Sequence, residues 1–159
     1  PFFAAGARDG AGGGDGGDRQ VRVEDNVLLD GDARVRLDVN PVAARALGDW
    51  FGFVTSRLEQ VREWASSAGS SDQPTRVQLW PEHFDVAVDL GAEGRRANFG
   101  GSPGDEGHPE PYLYVGPWEP RRGAFWNEPF GASLAYSDLL AGADPLAFYQ
   151  AGREALLRD

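Results

Sequence analysis

The sequence predicts an α+β fold: an antiparallel β-sheet with one long amphipathic helix over about 41–66 and a C-terminal helix over about 145–157 packed on it. Three observations lead there. Short runs with apolar residues at every second position recur between Asx/Gly turns. Between them, one window repeats apolar residues at spacings of three and four. Two dipeptides, Asn40-Pro41 and Asp144-Pro145, read as a helix cap followed by proline at the first helical position. The chain of 159 residues is about one domain long, and 41% hydrophobic with 25% charged residues is ordinary for a globular protein.

Taken in order, residues 4–18 hold seven glycines and no large apolar side chain. They cannot offset the entropy of ordering, so residues 1–18 are expected to be a flexible segment, with Pro1-Phe2-Phe3 as an apolar anchor or a frayed end. A single domain is expected over 19–159. It begins with Val21 and Val23, then Val27 and Leu29, then Val35, Leu37 and Val39, a small meander. After Asn40-Pro41 comes the long helix, whose stripe is Leu47, Phe51, Val54, Leu58, Val61 and Ala65, flanked by Trp50 and Trp64. Thr75–Trp80 reads as a short strand. Phe84–Leu90 follows, with Phe84, Val86, Val88 and Leu90 on one face and His83, Asp85, Ala87 and Asp89 on the other. Ala97–Phe99, a loop over Gly100–Pro111 and the strand Tyr112–Val115 come next. Residues 116–131 are dense in Pro, Gly and Trp, Ser137–Ala141 reads as one helical turn, and Leu146, Tyr149, Ala155 and Leu156 give the last helix its apolar face.

Composition narrows the function. The net charge of −10 lacks the basic footprint of a phosphate-backbone binder, so no nucleic-acid partner is expected. No window approaches the ~18 apolar residues of a spanning helix, so no membrane partner is expected. With no Cys, disulfides, thiolate metal sites and thiol nucleophiles are excluded, which fits either compartment; a soluble cytoplasmic chain is the default expectation. With no Met in the chain, Pro1 is read as following a cleavage or an upstream part of the domain. There is no Walker A, no Gly-x-Ser-x-Gly, and no GxGxxG between strand and helix.

Chemistry concentrates in residues 81–110. Both histidines lie there with seven acids (Glu82, Asp85, Asp89, Glu93, Asp105, Glu106, Glu110) against Arg95 and Arg96. His83 and Asp85 stand at i and i+2, as do His108 and Glu110, so the four form a candidate set for a divalent metal, imidazole with carboxylate suiting Zn, Mn, Fe(II) or Ni. The competing reading gives the histidines to the strand rim and Asp105-Glu106 to turn chemistry. Without metal, the same carboxylates act as acid and base only where their environments separate their pKa values. A second constellation is aromatic: Trp80, Phe99, Tyr112, Tyr114, Trp118, Phe125 and Trp126. Such rings either stack on a ligand or form core.

VQLWPEHFD at 77–85 and NFGGSPGDEGHPEPYLYV at 98–115 are unusual strings. They resemble a bacterial family, common in actinobacteria, that carries LWP-x-HFD followed by N-[FY]-G-x-SPGDE-x-x-PEPY-x-YV, and the similarity spans about residues 75–157. No reaction is assigned to that family, so the resemblance transfers no catalytic residue. It implies that His83, Asp85, Asn98, Asp105, Glu106, Glu110 and Tyr112 belong to the family pattern, and that His108 occupies a variable position.

The function expected on these grounds is binding of a small molecule or divalent metal in an acidic and aromatic pocket. The ligand-binding residues are His83, Asp85, Asn98, Asp105, Glu106, Glu110, Trp80, Tyr112 and Tyr114, and the reaction, if there is one, is left open. The alternative is a non-catalytic interaction subunit that docks a partner protein through the Pro/Trp-rich stretch 116–131.

Overall fold

The computed structural model describes residues 21–24, 27–67 and 71–158; the Gly-rich segment expected to be flexible lies outside them. The chain divides into two compact units, residues 1–45 and 46–159.

The first unit holds the expected meander: β1 (Val21–Glu24), β2 (Val27–Asp30) and β3 (Ala33–Arg36), antiparallel in chain order. Asp30 pairs with Ala33 across a two-residue turn. Gly31 takes φ 58 there, the left-handed value that the first central position of a type II′ hairpin turn demands. Helix α1 (Pro41–Ser67) starts in this unit and continues into the next. Asn40 caps it as its sequence promised, Oδ1 accepting from the amides of Val42 at 2.9 Å and Ala43 at 3.2 Å.

The second unit is built on a five-stranded antiparallel meander, β4 (Gln78–Trp80), β5 (Asp85–Leu90), β6 (Ala97–Ser102), β7 (Tyr112–Pro117) and β8 (Ala132–Ala135). Two further helices follow, α2 (Tyr136–Leu140) and α3 (Pro145–Arg158), the latter capped by Asp144 Oδ1, which accepts from Leu146 N at 2.9 Å. Val86, Val88 and Leu90 of β5, Ala97 and Phe99 of β6, and Leu113 and Val115 of β7 lie on one sheet face. They form the core with Trp50, Val54, Leu58 and Val61 of α1 and Tyr149 and Leu156 of α3. The buried stripe of α1 runs through Trp50, with Phe51 half-buried beside it, where the spacing alone had favoured Phe51.

Three further expectations are corrected. The loop expected from Gly100 begins three residues later, because β6 continues through Gly100, Gly101 and Ser102. These glycines are close-packing positions rather than breakers: a Cβ on Gly101 would come within 2.5 Å of Val54 Cγ2. Strand β5 starts at Asp85, since Phe84 takes φ 51 and ends a turn. That left-handed residue breaks the alternation, so Phe84 leaves the core face and is 48% exposed, its ring edge-on to Phe51 at 5.5 Å. It also removes His83 from the strand and places it in the turn over 81–84. Among the described residues, no helix is long and apolar enough to cross a membrane.

Candidate functional site

The pleat that turns Val86, Phe99 and Val115 to the core turns the alternate residues to the opposite face. There the register sets Trp80 against Asp85, Gly100 against Tyr114, Ser102 against Tyr112 and Tyr114 against Ser133. This second face carries the polar chemistry of the unit.

At its centre Tyr114 reaches across β6 and donates its hydroxyl to Oδ2 of Asp85 on β5. Gly100 makes the crossing possible: a Cβ there would stand 2.6 Å from the end of the Tyr114 ring. From the core side, the buried Tyr149 hydroxyl donates to the Gly100 carbonyl at 2.9 Å and fixes the same strand. Asp85 is 6% exposed. Its Oδ1 is buried and takes no hydrogen bond from the described residues. Burial pushes this carboxyl above the usual aspartate range, against the opposing pulls of the Tyr114 hydroxyl and the His83 charge. Tyr114 is in turn held well above the usual tyrosine range, first by burial and then by the Asp85 charge.

Beside this pair runs a second set of bonds. Tyr112 donates to Asp105 Oδ2 at 2.8 Å, and its phenol is pushed up to about 12 by burial and by that bond. The buried Ser102 accepts from Gly104 N at 3.1 Å. Asp105 folds its own loop into an Asx turn, Oδ1 accepting from Gly107 N at 2.7 Å and His108 N at 2.8 Å. These bonds, led by the His108 amide and then Tyr112, lower its pKa. His108 lies on Tyr112, ring centroids 4.7 Å apart, and Nε2 donates to Glu128 Oε1 at 3.1 Å. The same Glu128 oxygen accepts from Ser133 Oγ at 2.8 Å.

Of the residues singled out from sequence, Asp85, Asp105, Tyr112 and Tyr114 therefore share this face. Trp80, 40% exposed, sits across from Asp85 on the edge strand. His83 lies in the turn between β4 and β5, where its amide donates to the Trp80 carbonyl at 3.3 Å. Asn98 is exposed at the other end of β6, opposite Asp89 and Gly116, and Glu106 and Glu110 are exposed in the loop. A hollow of about 240 Å³ lies elsewhere, lined by Glu93, Gly94, Arg96, Trp118 and Glu119.

The metal set does not assemble: among the described residues no three His, Asp or Glu side chains are placed to hold a metal ion. His108 is engaged with Glu128 and Asp85 with Tyr114, and Glu110 is exposed. Phe125 and Trp126 pack against the core, whereas Trp118 is 63% exposed with the Arg96 guanidinium over its ring at 5.6 Å. Glu128 and Ser133 went unremarked in the sequence. Glu128 stands outside the acidic window, and only the Asn-Glu-Pro-Phe-Gly turn around it signals a fixed position. No protein-family model, curated protein or solved structure matches the chain.

Proposed function

We propose that this chain is a small-molecule-binding domain, with Asp85, Tyr112 and Tyr114 as its polar contact surface and Trp80 as its aromatic wall. The observation that carries this reading is Asp85 Oδ1, a buried carboxylate oxygen left without a hydrogen-bond donor. Such a group is costly, about 1–3 kcal/mol where nothing compensates it, and a ligand donor is one natural compensation. Every other polar side chain in the cluster is matched within the protein: Tyr112 by Asp105, His108 by Glu128, Ser133 by Glu128. The rigid strands beneath it suit a binding surface, since residues on strands hold their geometry better than residues on loops.

The test is a fragment screen by 1H–15N NMR, using small polar and aromatic compounds against the whole chain. Binding at this face shifts the amides of Asp85, Tyr112 and Tyr114 and the Trp80 indole together, and Asp85→Asn weakens those shifts. A screen in which no compound moves this group of signals overturns the reading. Shifts confined to Trp118 and Phe130 on addition of a protein partner favour the interaction-subunit alternative.

A further inference from the structure

We infer that the hollow lined by Glu93, Gly94, Arg96, Trp118 and Glu119 binds a neutral sugar ring stacked on the Trp118 indole, a site that does not depend on the reading given to the Asp85 face. Its parts meet where β7 leaves the sheet beside the β5–β6 turn. The Trp118 amide donates to the Arg96 carbonyl at 3.0 Å and ties the residue after β7 to the residue before β6. Arg96 is itself held, Nε donating to Asp89 Oδ1 at 3.2 Å and Nη1 to the Gly91 carbonyl at 2.8 Å, with its guanidinium over the Trp118 ring at 5.6 Å. Arg121 Nη2 donates to the Gly94 carbonyl and fixes the turn from a second loop. Gly94 takes φ 73, and a Cβ there would meet nothing within 4 Å, so the space beside it is open. Walls fixed in this way spend little ordering entropy on a ligand.

The charges decide the class of ligand. An anion would meet Glu93 and Glu119 in a chain of net charge −10. A cation would share the indole with Arg96, whose guanidinium already lies over the ring. Two of the charges that line the hollow are answered within the protein, Arg96 by Asp89 at 3.2 Å and Glu119 by Arg121 at 3.9 Å. Glu93 forms no ion pair among the described residues, but it is exposed, and a solvated carboxylate needs no counter-ion. The ligand that fits is neutral, with an apolar face and a polar rim. A pyranose has both: its C–H face lies on an indole while its hydroxyls donate to carboxylates. With Arg96 over its ring, Trp118 is still 63% exposed, which leaves indole surface for stacking. At about 240 Å³ the hollow is smaller than the roughly 300–1,000 Å³ of sites for drug-sized ligands, so it takes a single ring.

The experiment titrates the whole chain with the methyl glycosides of glucose, galactose and mannose, and with the amino-sugar and uronate forms of each as charged counterparts. It is run at about pH 6, where the amine is protonated, and followed by 1H–15N NMR. The expected result is that a neutral glycoside shifts the Trp118 indole and the Gly94 amide with a Kd on the order of millimolar, and that its charged counterparts bind at least about fivefold more weakly. Trp118→Ala, at an exposed position outside the core, abolishes the Gly94 shift, and Glu93→Ala weakens binding several-fold. Equal or tighter binding of an amino sugar or a uronate overturns the neutral assignment. A Gly94 shift that survives Trp118→Ala overturns the stacking, and an indole and a Gly94 amide that no neutral glycoside moves overturn the site. The Asp85 amide, read in the same spectra, keeps each of these outcomes apart from the fate of the other face.

Discussion

Gly100 is the space in which the Tyr114 phenol lies. The missing side chain on β6 lets a β7 tyrosine cross a whole strand and bond Asp85 on β5. A methyl group at residue 100 would meet the Tyr114 ring at 2.6 Å, well inside contact distance. Gly100→Ala is therefore expected to destabilise the fold by about 1–3 kcal/mol, the usual cost of overfilling a packed site. Urea denaturation checks it. In a Tyr114→Ala background, where the ring is gone, the same substitution is expected to cost markedly less, since the two changes act on one contact. Equal costs in both backgrounds would show that the glycine serves something other than the tyrosine.

The Asp85 carboxyl gives the pH dependence a definite sign. Its folded pKa is raised by burial, so the folded state holds the proton more tightly than the unfolded chain does. That contribution is fully present below the unfolded value of 3.8 and is lost as pH rises through the folded value. Asp85→Asn cannot lose it. The stability of the variant relative to the wild type is thus expected to increase as pH rises from below 3.8 toward neutral, which paired melts across that range measure. A difference that stays flat with pH would mean that Asp85 ionises in the folded protein as freely as in the unfolded chain.

Asp105 works in the opposite direction. The His108 and Gly107 amides and the Tyr112 hydroxyl stabilise its ionised form, so its folded pKa lies below 3.8. Its contribution is present above the unfolded value and is lost as pH falls through the folded one. Because Asp105 is exposed, solvent screens much of this effect, and the sharper readout is local. Asp105→Ala is expected to accelerate hydrogen exchange at the Gly107 and His108 amides, which lose their acceptor, while the amides of β5 stay protected. Unchanged exchange at Gly107 would mean that the loop keeps its shape without the carboxylate.

The features the sequence disclosed are those set by short-range chemistry. Asn40 and Asp144 announced the starts of the two longer helices, and period-two runs announced most strands, because caps and pleats depend on neighbouring residues. Gly100 and Gly101 were misread as loop for a long-range reason. What requires them is Tyr114 and Val54, distant in sequence, and a glycine that makes room looks the same as one that breaks a strand. Phe84 deceived in another way: its apolar character fitted the alternation, and only its left-handed backbone takes it out of register. Asp85, Tyr112 and Tyr114 stood out in the sequence because acids and aromatics do. Their hydrogen bonds were not legible, since Tyr114 meets Asp85 only across a whole strand and Tyr112 meets Asp105 through the fold of its loop.

Away from that face, Asp72 and Arg153 tie the segment before β4 to helix α3. Asp72 is buried, Arg153 Nε donates to its Oδ2, and the Arg153 guanidinium also lies over the Trp64 ring at 5.1 Å. The Asp72 carbonyl accepts from Gly91 N at 2.7 Å, so the residue is fixed from both ends. Removing the arginine alone strands a buried negative charge. Arg153→Ala is therefore expected to cost about 3–5 kcal/mol, the range for breaking one side of a buried ion pair. Removing both partners takes away the charge as well as its counter-ion. The double variant Asp72→Ala/Arg153→Ala is accordingly expected to be more stable than the sum of the two single losses predicts, and guanidinium denaturation of the four proteins gives the coupling directly. Strict additivity would mean that Arg153 acts through its stacking on Trp64 and that the carboxylate finds its compensation elsewhere.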